Sequence, residues 1–439
     1  MKLNRLTGIL AFLIFSSCNS DDAATETSDP IPTPSSPNIL LIIADDMGLD
    51  ATPGYSVGTS KPTMPNLQDL MNSGIRFNNV WSNPVCTPTR ATILTGKYGF
   101  RTNVINVGDV LSTSETSLHK VLNTNASEYS HAVIGKWHLS SDPTHPTAMG
   151  VDYFAGLLGG GVQSYTNWDL NENGITTTST AYTTTKFTDL AIDWVSAQSQ
   201  PWFLWLAYNA PHTPFHLPPT NLHNQGDLPT DEASIDANPL PYYHAMIEAM
   251  DSEMGRLLST MTQEDRNNTL IIFVGDNGTP SEVVQVYKSN RAKGSIYQGG
   301  VNVPMVISGK NVTRVNETED ALISTTDLFA TIADVAAGTA SYDSGDSRSF
   351  LDLLNSSNSK GRDFVYTEKS NSQTQGSDYT IRNATHKYIY FNTGAEALYD
   401  LIENPLESPN LLNENQLPLS ASDAAIKLSL TTELSNLRN

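Results

Sequence analysis

Four short apolar runs, each cut off by polar residues able to do chemistry, limit most strongly what this chain can fold into. Residues 39–44 run into Asp45-Asp46, and residues 131–135 into Lys136-Trp137-His138. Residues 202–208 run into Asn209-Ala210-Pro211-His212, and residues 270–275 into Asp276-Asn277. A fifth apolar run spans 303–307. Runs that are apolar without alternation suit strands buried on both faces, the habit of parallel sheets. Between them, Phe187, Leu190, Ala191, Trp194 and Val195 recur at helical spacing, as do Tyr243, Met246, Ile247, Met250, Met254, Leu257 and Leu258.

The expected fold is therefore α/β, a large, mostly parallel sheet sandwiched by helices over residues 38–345. With 439 residues, 38% of them apolar, there is material for such a core. From 344 to 360 the chain turns Ser-, Asp- and Asn-rich, which reads as a junction. Runs at 364–367, 379–382 and 387–391 then suggest a small antiparallel sheet, closed by a last helix, as a C-terminal subdomain over 346–439.

The start of the chain reads as an address. Residues 1–17 carry Lys2 and Arg5 ahead of a short apolar run, the pattern of a signal peptide. They end in Phe15-Ser16-Ser17-Cys18, which resembles a bacterial lipobox, making Cys18 the expected lipid anchor. Residues 18–37 are rich in Ser, Thr, Pro and Asp, a flexible tether with little to bury. The expected location is outside the cytoplasm, anchored to the outer membrane or cell surface, or periplasmic. Membrane contact is expected only through the anchor. The formal charge of -21 excludes the electrostatic footprint of a nucleic-acid binder. The only other cysteine is Cys86, so no disulfide framework is available.

In open α/β sheets ligands bind beyond the carboxyl ends of the strands, where the polar clusters would meet. Asp45, Asp46, Asp276 and Asn277 are hard oxygen ligands, suited to calcium or magnesium rather than zinc. Arg90, Lys136, His138, His212 and Lys293 supply positive or proton-carrying groups, which a tetrahedral oxyanion beside a divalent cation needs. His212 and His216 do not form a zinc-binding HExxH helix, since Pro214 lies between them and the glutamate is missing.

Cys86 lies in Pro84-Val85-Cys86-Thr87-Pro88-Thr89-Arg90, a C-x-P-x-R segment continuing into ATILTG. With NILLIIADDMG at 38–48, GKWHL at 135–139, NAPHTPF at 209–215, VGDNG at 274–278, and Lys293 ahead of GGVNVP, the chain resembles the formylglycine-dependent sulfatases. ALYDLIENPLESPNLL at 397–412 resembles that family's closing segment, so the likeness runs from 38 to about 412.

The resemblance implies that a separate maturase oxidises Cys86 to formylglycine (3-oxoalanine). One hydroxyl of its hydrate attacks sulfur, and the other then loses a proton to expel sulfate. It implies one calcium ion held by Asp45, Asp46, Asp276, Asn277 and residue 86. Arg90 and Lys136 would orient the hydrate, His138 would serve as base in the elimination, and His212 and Lys293 would bind sulfate. The implied reaction is hydrolysis of sulfate esters, with a sulfated polysaccharide or oligosaccharide, such as an algal glycan, as expected substrate.

Gln298 departs from the family's usual Glu before Gly299-Gly300 and is expected to lie away from the reacting atoms. Gly159-Gly160-Gly161 matches no phosphate-loop pattern and reads as a loop at the substrate mouth. Two other functions fit part of the pattern. One is a phosphatase or phosphonate monoester hydrolase of the same superfamily, and the other a non-catalytic, surface-anchored glycan binder.

Overall fold

The strands form where the apolar runs lie, because a continuously apolar segment is stable only when both faces are covered. The computed structural model describes residues 36–338, 341–371 and 376–439. The signal peptide, most of the tether and Cys18 lie outside the described residues. In chain order the strands are β1 (Asn38–Ala44), β2 (Gly74–Phe77), β3 (Val80–Trp81), β4 (Ser130–Lys136), β5 (Tyr153–Leu157), β6 (Trp168–Glu172), β7 (Ile175–Ser179) and β8 (Trp202–Ala207). They continue as β9 (Thr269–Gly275), β10 (Met305–Gly309), β11 (Glu317–Glu319), β12 (Ile323–Ser324), β13 (Val365–Asn371), β14 (Gly376–Arg382), β15 (His386–Tyr390) and β16 (Glu396–Asp400).

Ten strands make one sheet in the order β11-β2-β10-β9-β1-β8-β4-β5-β6-β7. Its middle, β9-β1-β8-β4-β5, is parallel throughout, and β10 and β6 run antiparallel on either side of it. Side chains alternate across the sheet, so Ile39, Leu41 and Ile43 enter one core while Leu40 and Ile42 enter the other. The first core is covered by helices Cys86–Thr95, Leu118–Asn125 and Leu328–Ala337, through Ile93, Leu122 and Ile332 among others. The second is covered by Thr183–Ser196 and Leu240–Thr260, through Phe187 and Met246. Each such side chain contributes about 1.5–3 kcal/mol on burial.

The small sheet is antiparallel in the order β13-β14-β15-β16. Helix Ala421–Arg438 lays Leu430 and Leu434 on it, against Tyr366, Tyr388 and Leu398. Beside it the Lys387 ammonium is fully buried and bonds Glu407 Oε1 at 2.7 Å. Three of the four small strands match the sequence reading, and β16 falls inside the closing segment.

Because β1, β9, β8 and β4 are parallel neighbours, their carboxyl ends meet on one edge. Asp45-Asp46, Asp276-Asn277, Asn209 and Lys136 all emerge there. The chain bends sharply at this edge, with Asp46 at φ 71° and His138 at φ 57°. These are left-handed conformations, uncommon for residues other than glycine and concentrated at functional sites.

Candidate active site

Three carboxylates from two neighbouring strand ends are buried together, and each is answered by a cation. Lys136 Nζ donates to Asp45 Oδ2 at 2.6 Å. Arg90 donates through Nε and Nη2 to Asp276 Oδ2, at 3.2 and 2.8 Å, and through Nη1 to the Lys136 carbonyl at 2.7 Å. Lys293 Nζ donates to Asp46 Oδ2 at 2.6 Å. Asp45, Arg90, Lys136 and Asp276 are wholly buried, so without these pairings each charge would cost several kcal/mol of solvation. The backbone N–H of Asp46 donates to Asp276 Oδ1 at 3.1 Å, and Asn277 Nδ2 to Asp46 Oδ1 at 2.8 Å, fixing the two acidic corners to each other.

Cys86 is the first residue of helix Cys86–Thr95, following Val85 in extended conformation. The helix start presents unsatisfied N–H groups and the positive end of the helix dipole to the cluster. The next turn of the same helix buries Arg90, four positions on from Cys86 and so on the same helix face. Cys86 Sγ lies 3.2 Å from His138 Nδ1. His212 stands on the other side of the acids, with Nε2 3.8 Å from Asp46 Oδ2. Its Nδ1 faces the Thr213 carbonyl at 2.8 Å, a contact that requires a proton on Nδ1 and leaves Nε2 turned to the site.

The charges reinforce one another. Burial works against ionising Asp45, but Lys136, His212 and Arg90 outweigh it and hold the carboxyl below its ordinary value. Burial, helped by Asp45 next to it, pushes Asp276 up to about 6. Burial pushes the Cys86 thiol up. Burial, with Lys136 and Arg90 nearby, holds His138 below its ordinary value, so the imidazole rests unprotonated beside residue 86. Burial alone would lower Lys293, but Asp46 outweighs it and raises the ammonium.

The donor set fits a hard divalent cation. Among the described residues, the buried oxygens Asp45 Oδ1 and Asn277 Oδ1 have no hydrogen-bond partner. Such an atom ordinarily costs about 1–3 kcal/mol, which coordination would offset. One ligand atom each from Asp45, Cys86 and Asp276 lies within 4.8 Å of the others, as does one each from Asp45, Asp46 and His212.

All ten residues singled out in the sequence thus converge on one edge. Gln298 is held apart, accepting from Trp81 Nε1 at 2.9 Å while its N–H donates to Glu407 Oε2. Two tyrosines were not read as part of the site, and Gly160 was read only as part of a loop at the substrate mouth. Tyr165 Oη donates to the carbonyls of Asn209 and His212, at 2.8 and 2.5 Å, and so braces the His212 loop. Tyr243 Oη donates to the Asp46 carbonyl at 2.7 Å. Gly160 lies against His138, where a Cβ would come within 2.4 Å of the imidazole. Tyr165 carries no spacing signal, the spacing of Tyr243 marks it as a core residue of its helix, and the glycine shows its purpose only beside the ring.

Residues 37–339 match the family model described as Sulfatase. The chain belongs to the sulfatase family. Residues 291–439 also match the model for the C-terminal part of N-sulphoglucosamine sulphohydrolase. The uncharacterized sulfatase YdeN of Escherichia coli strain K12 is 28% identical over 398 residues, 75% of this chain and 69% of that protein. The crystal structure of Ps i-CgsB in complex with k-i-k-neocarrahexaose has a TM-score of 0.76 at 24% identity, covering 92% of each chain. The structure of BT4656 in complex with its substrate D-glucosamine-2-N,6-O-disulfate gives 0.75 at 20% identity, over 92% of this chain and 98% of that one. This sulfatase therefore has the alkaline phosphatase superfamily fold and is a sulfuric ester hydrolase.

Proposed function

We propose that this sulfatase cleaves sulfate esters of carbohydrates with a formylglycine made from Cys86 and one calcium ion. The observation that carries the reading is the position of Cys86 Sγ, which stands where the formylglycine oxygens would. It is within 4.8 Å of ligand atoms of Asp45 and Asp276, and 3.2 Å from His138 Nδ1. Asp45, Asp46, Asp276 and Asn277 would hold the ion, which when bound polarises the sulfate and favours the ionised nucleophile. The aldehyde hydrate supplies two hydroxyls on one carbon, so a sulfated intermediate can release its sulfate by elimination, which a serine cannot do.

The chain's own groups do the rest. Arg90 and Lys136 fix the Asp276 and Asp45 carboxylates around residue 86. His138, neutral and in hydrogen-bond reach, takes the proton from residue 86. Lys293 and His212 line the opposite, more open side, with side-chain exposures of 22% and 20%. There they receive the sulfate oxygens and can protonate the departing alcohol. A carbohydrate substrate is supported by the structural neighbour held with a disulfated glucosamine substrate. Export and lipid anchoring at Cys18 belong to the same proposal, motivated by the leader-like sequence.

The test is turnover of an aryl sulfate and an aryl phosphate by protein made with a maturase, alongside Cys86→Ala. Sulfate turnover that vanishes in the variant is expected. Preference for the phosphate, or near-normal rates with Cys86→Ala, would overturn the reading.

A further inference from the structure

The sheet edge that carries the active site does not end at β4. Next to it β5 also ends there, and its last residue, Leu157, pairs in register with Lys136. The chain then passes through Gly159-Gly160-Gly161 before returning as the β6–β7 hairpin. The inner side of this glycine segment touches the catalytic histidines. A Cβ on Gly160 would meet the His138 ring at 2.4 Å, and one on Gly161 would come within 3.2 Å of His212. Its outer side forms one wall of a cleft of about 550 Å³, whose other wall is the hairpin.

The hairpin wall has a definite chemistry. Asp169 pairs with Thr178 and Asn171 with Thr176, so these four side chains share one face of the ribbon. The alternate residues Trp168 and Leu170 are buried in the core behind it. Asn171 is fixed, donating to Thr176 Oγ1 at 2.9 Å and accepting from the Gly174 N–H at 3.1 Å. Among the described residues, no lysine or arginine lines the cleft. The exposed Thr176 and Thr178 hydroxyls, the Gln163 and Asn167 amides and the Asp169 carboxylate suit the hydroxyl groups of a neutral sugar and repel a sulfated one.

We propose that this cleft is a second sugar subsite, which takes an unsulfated ring next to the ring whose sulfate lies between His212, Lys293 and residue 86. The inference rests on the reading of the main site as a carbohydrate sulfatase. The enzyme then acts on oligomers in which a sulfated ring adjoins a neutral one. Asp169 and Thr178 confer that choice, and the glycine segment, bare of side chains, is all that lies between the catalytic histidines and the cleft.

Gly159 gives the cleanest perturbation. A Cβ there meets nothing within 4 Å, so a larger residue is accommodated by the fold and projects into open space. Protein made without a maturase keeps the Cys86 thiol, so binding can be measured by calorimetry without turnover. The probes are hexasaccharides from algal galactans and glycosaminoglycans, in versions with the neighbouring ring sulfated or not. The same chain, Gly159→Leu and Asp169→Ala are compared, with aryl sulfate and hexasaccharide turnover measured in parallel on matured enzyme.

The expected result is at least about tenfold tighter binding when the neighbouring ring is unsulfated. Gly159→Leu should abolish that preference, and Asp169→Ala should narrow it by admitting the sulfated neighbour. The ratio of hexasaccharide to aryl sulfate kcat/KM should fall by a similar factor in Gly159→Leu. Equal affinity for the two versions, a preference untouched by Gly159→Leu, or no binding of any hexasaccharide would overturn the subsite. Loss of aryl sulfate turnover in the unaltered matured enzyme would instead strike at the main site, while the binding comparison still decides the cleft.

Discussion

Replacing His119 by Phe is expected to cost a little stability at neutral pH and to return more than that in acid. His119, on helix Leu118–Asn125, is wholly buried, and its Nδ1 lies 3.2 Å from Nδ1 of His131 on β4. The Asp152 N–H points to His131 Nδ1 at 3.4 Å, while His131 Nε2 reaches Asn123 Oδ1 at 3.0 Å. His131 therefore accepts at Nδ1, and His119 donates to it. His119 Nε2 is buried without a partner among the described residues, so a second proton there would meet no acceptor. Burial and the neighbouring imidazole hold His119 well below its ordinary 6.5. The unfolded chain binds this proton below pH 6.5 while the folded chain refuses it, so the stability present above 6.5 is lost as pH falls. Each pH unit costs about 1.4 kcal/mol, or about 2 kcal/mol by pH 5. His119→Phe forfeits one hydrogen bond, about 1 kcal/mol, but carries none of that penalty. Urea unfolding at pH 7.5 and pH 5 should show the order of the two proteins reversing. A stability gap that stays constant between those pH values would refute the reasoning.

Three further outcomes are expected. Gly160→Ala should push His138 off residue 86 and lower kcat by about a hundredfold, the order lost when a catalytic group is misplaced by about 1 Å. Unchanged kcat on an aryl sulfate would contradict the contact. Asp276→Ala should abolish calcium binding by calorimetry, since it removes the only carboxylate of the Asp276-Asn277 corner and leaves Arg90 buried without that partner; micromolar calcium binding in the variant would argue otherwise. Glu407→Gln should destabilise the chain by about 3 kcal/mol in urea, because the Lys387 ammonium would stay buried beside a neutral amide. A loss below about 1 kcal/mol would show that the pair is not isolated from solvent.

The parallel centre of the sheet was legible because β1, β8 and β9 are buried on both faces and so appear as unbroken apolar runs. The strand-end part of the site was legible for the same reason, whereas Cys86 and Arg90, on a helix, were legible through the C-x-P-x-R segment. Parallel neighbours bring their carboxyl ends together, so the acids and cations that follow these runs must meet. The edge of the sheet was not legible. In β7, Ile175 to Thr178 are all exposed, so there is neither a continuous apolar run nor an alternation to detect. β16 alternates only weakly and lies within a segment recognised by family likeness instead. The His119–His131 pair depends on a helix packing beside a strand, and a gap of 12 residues has no helical or strand period to announce it.

The central claim is that turnover belongs to residue 86 in its aldehyde form. Treating the purified chain with a maturase for increasing times yields samples whose aldehyde content is read by peptide mass spectrometry and whose rate is read on an aryl sulfate. The rate should rise in proportion to the aldehyde fraction, from zero. Full activity in a sample that holds only the Cys86 thiol would contradict the account.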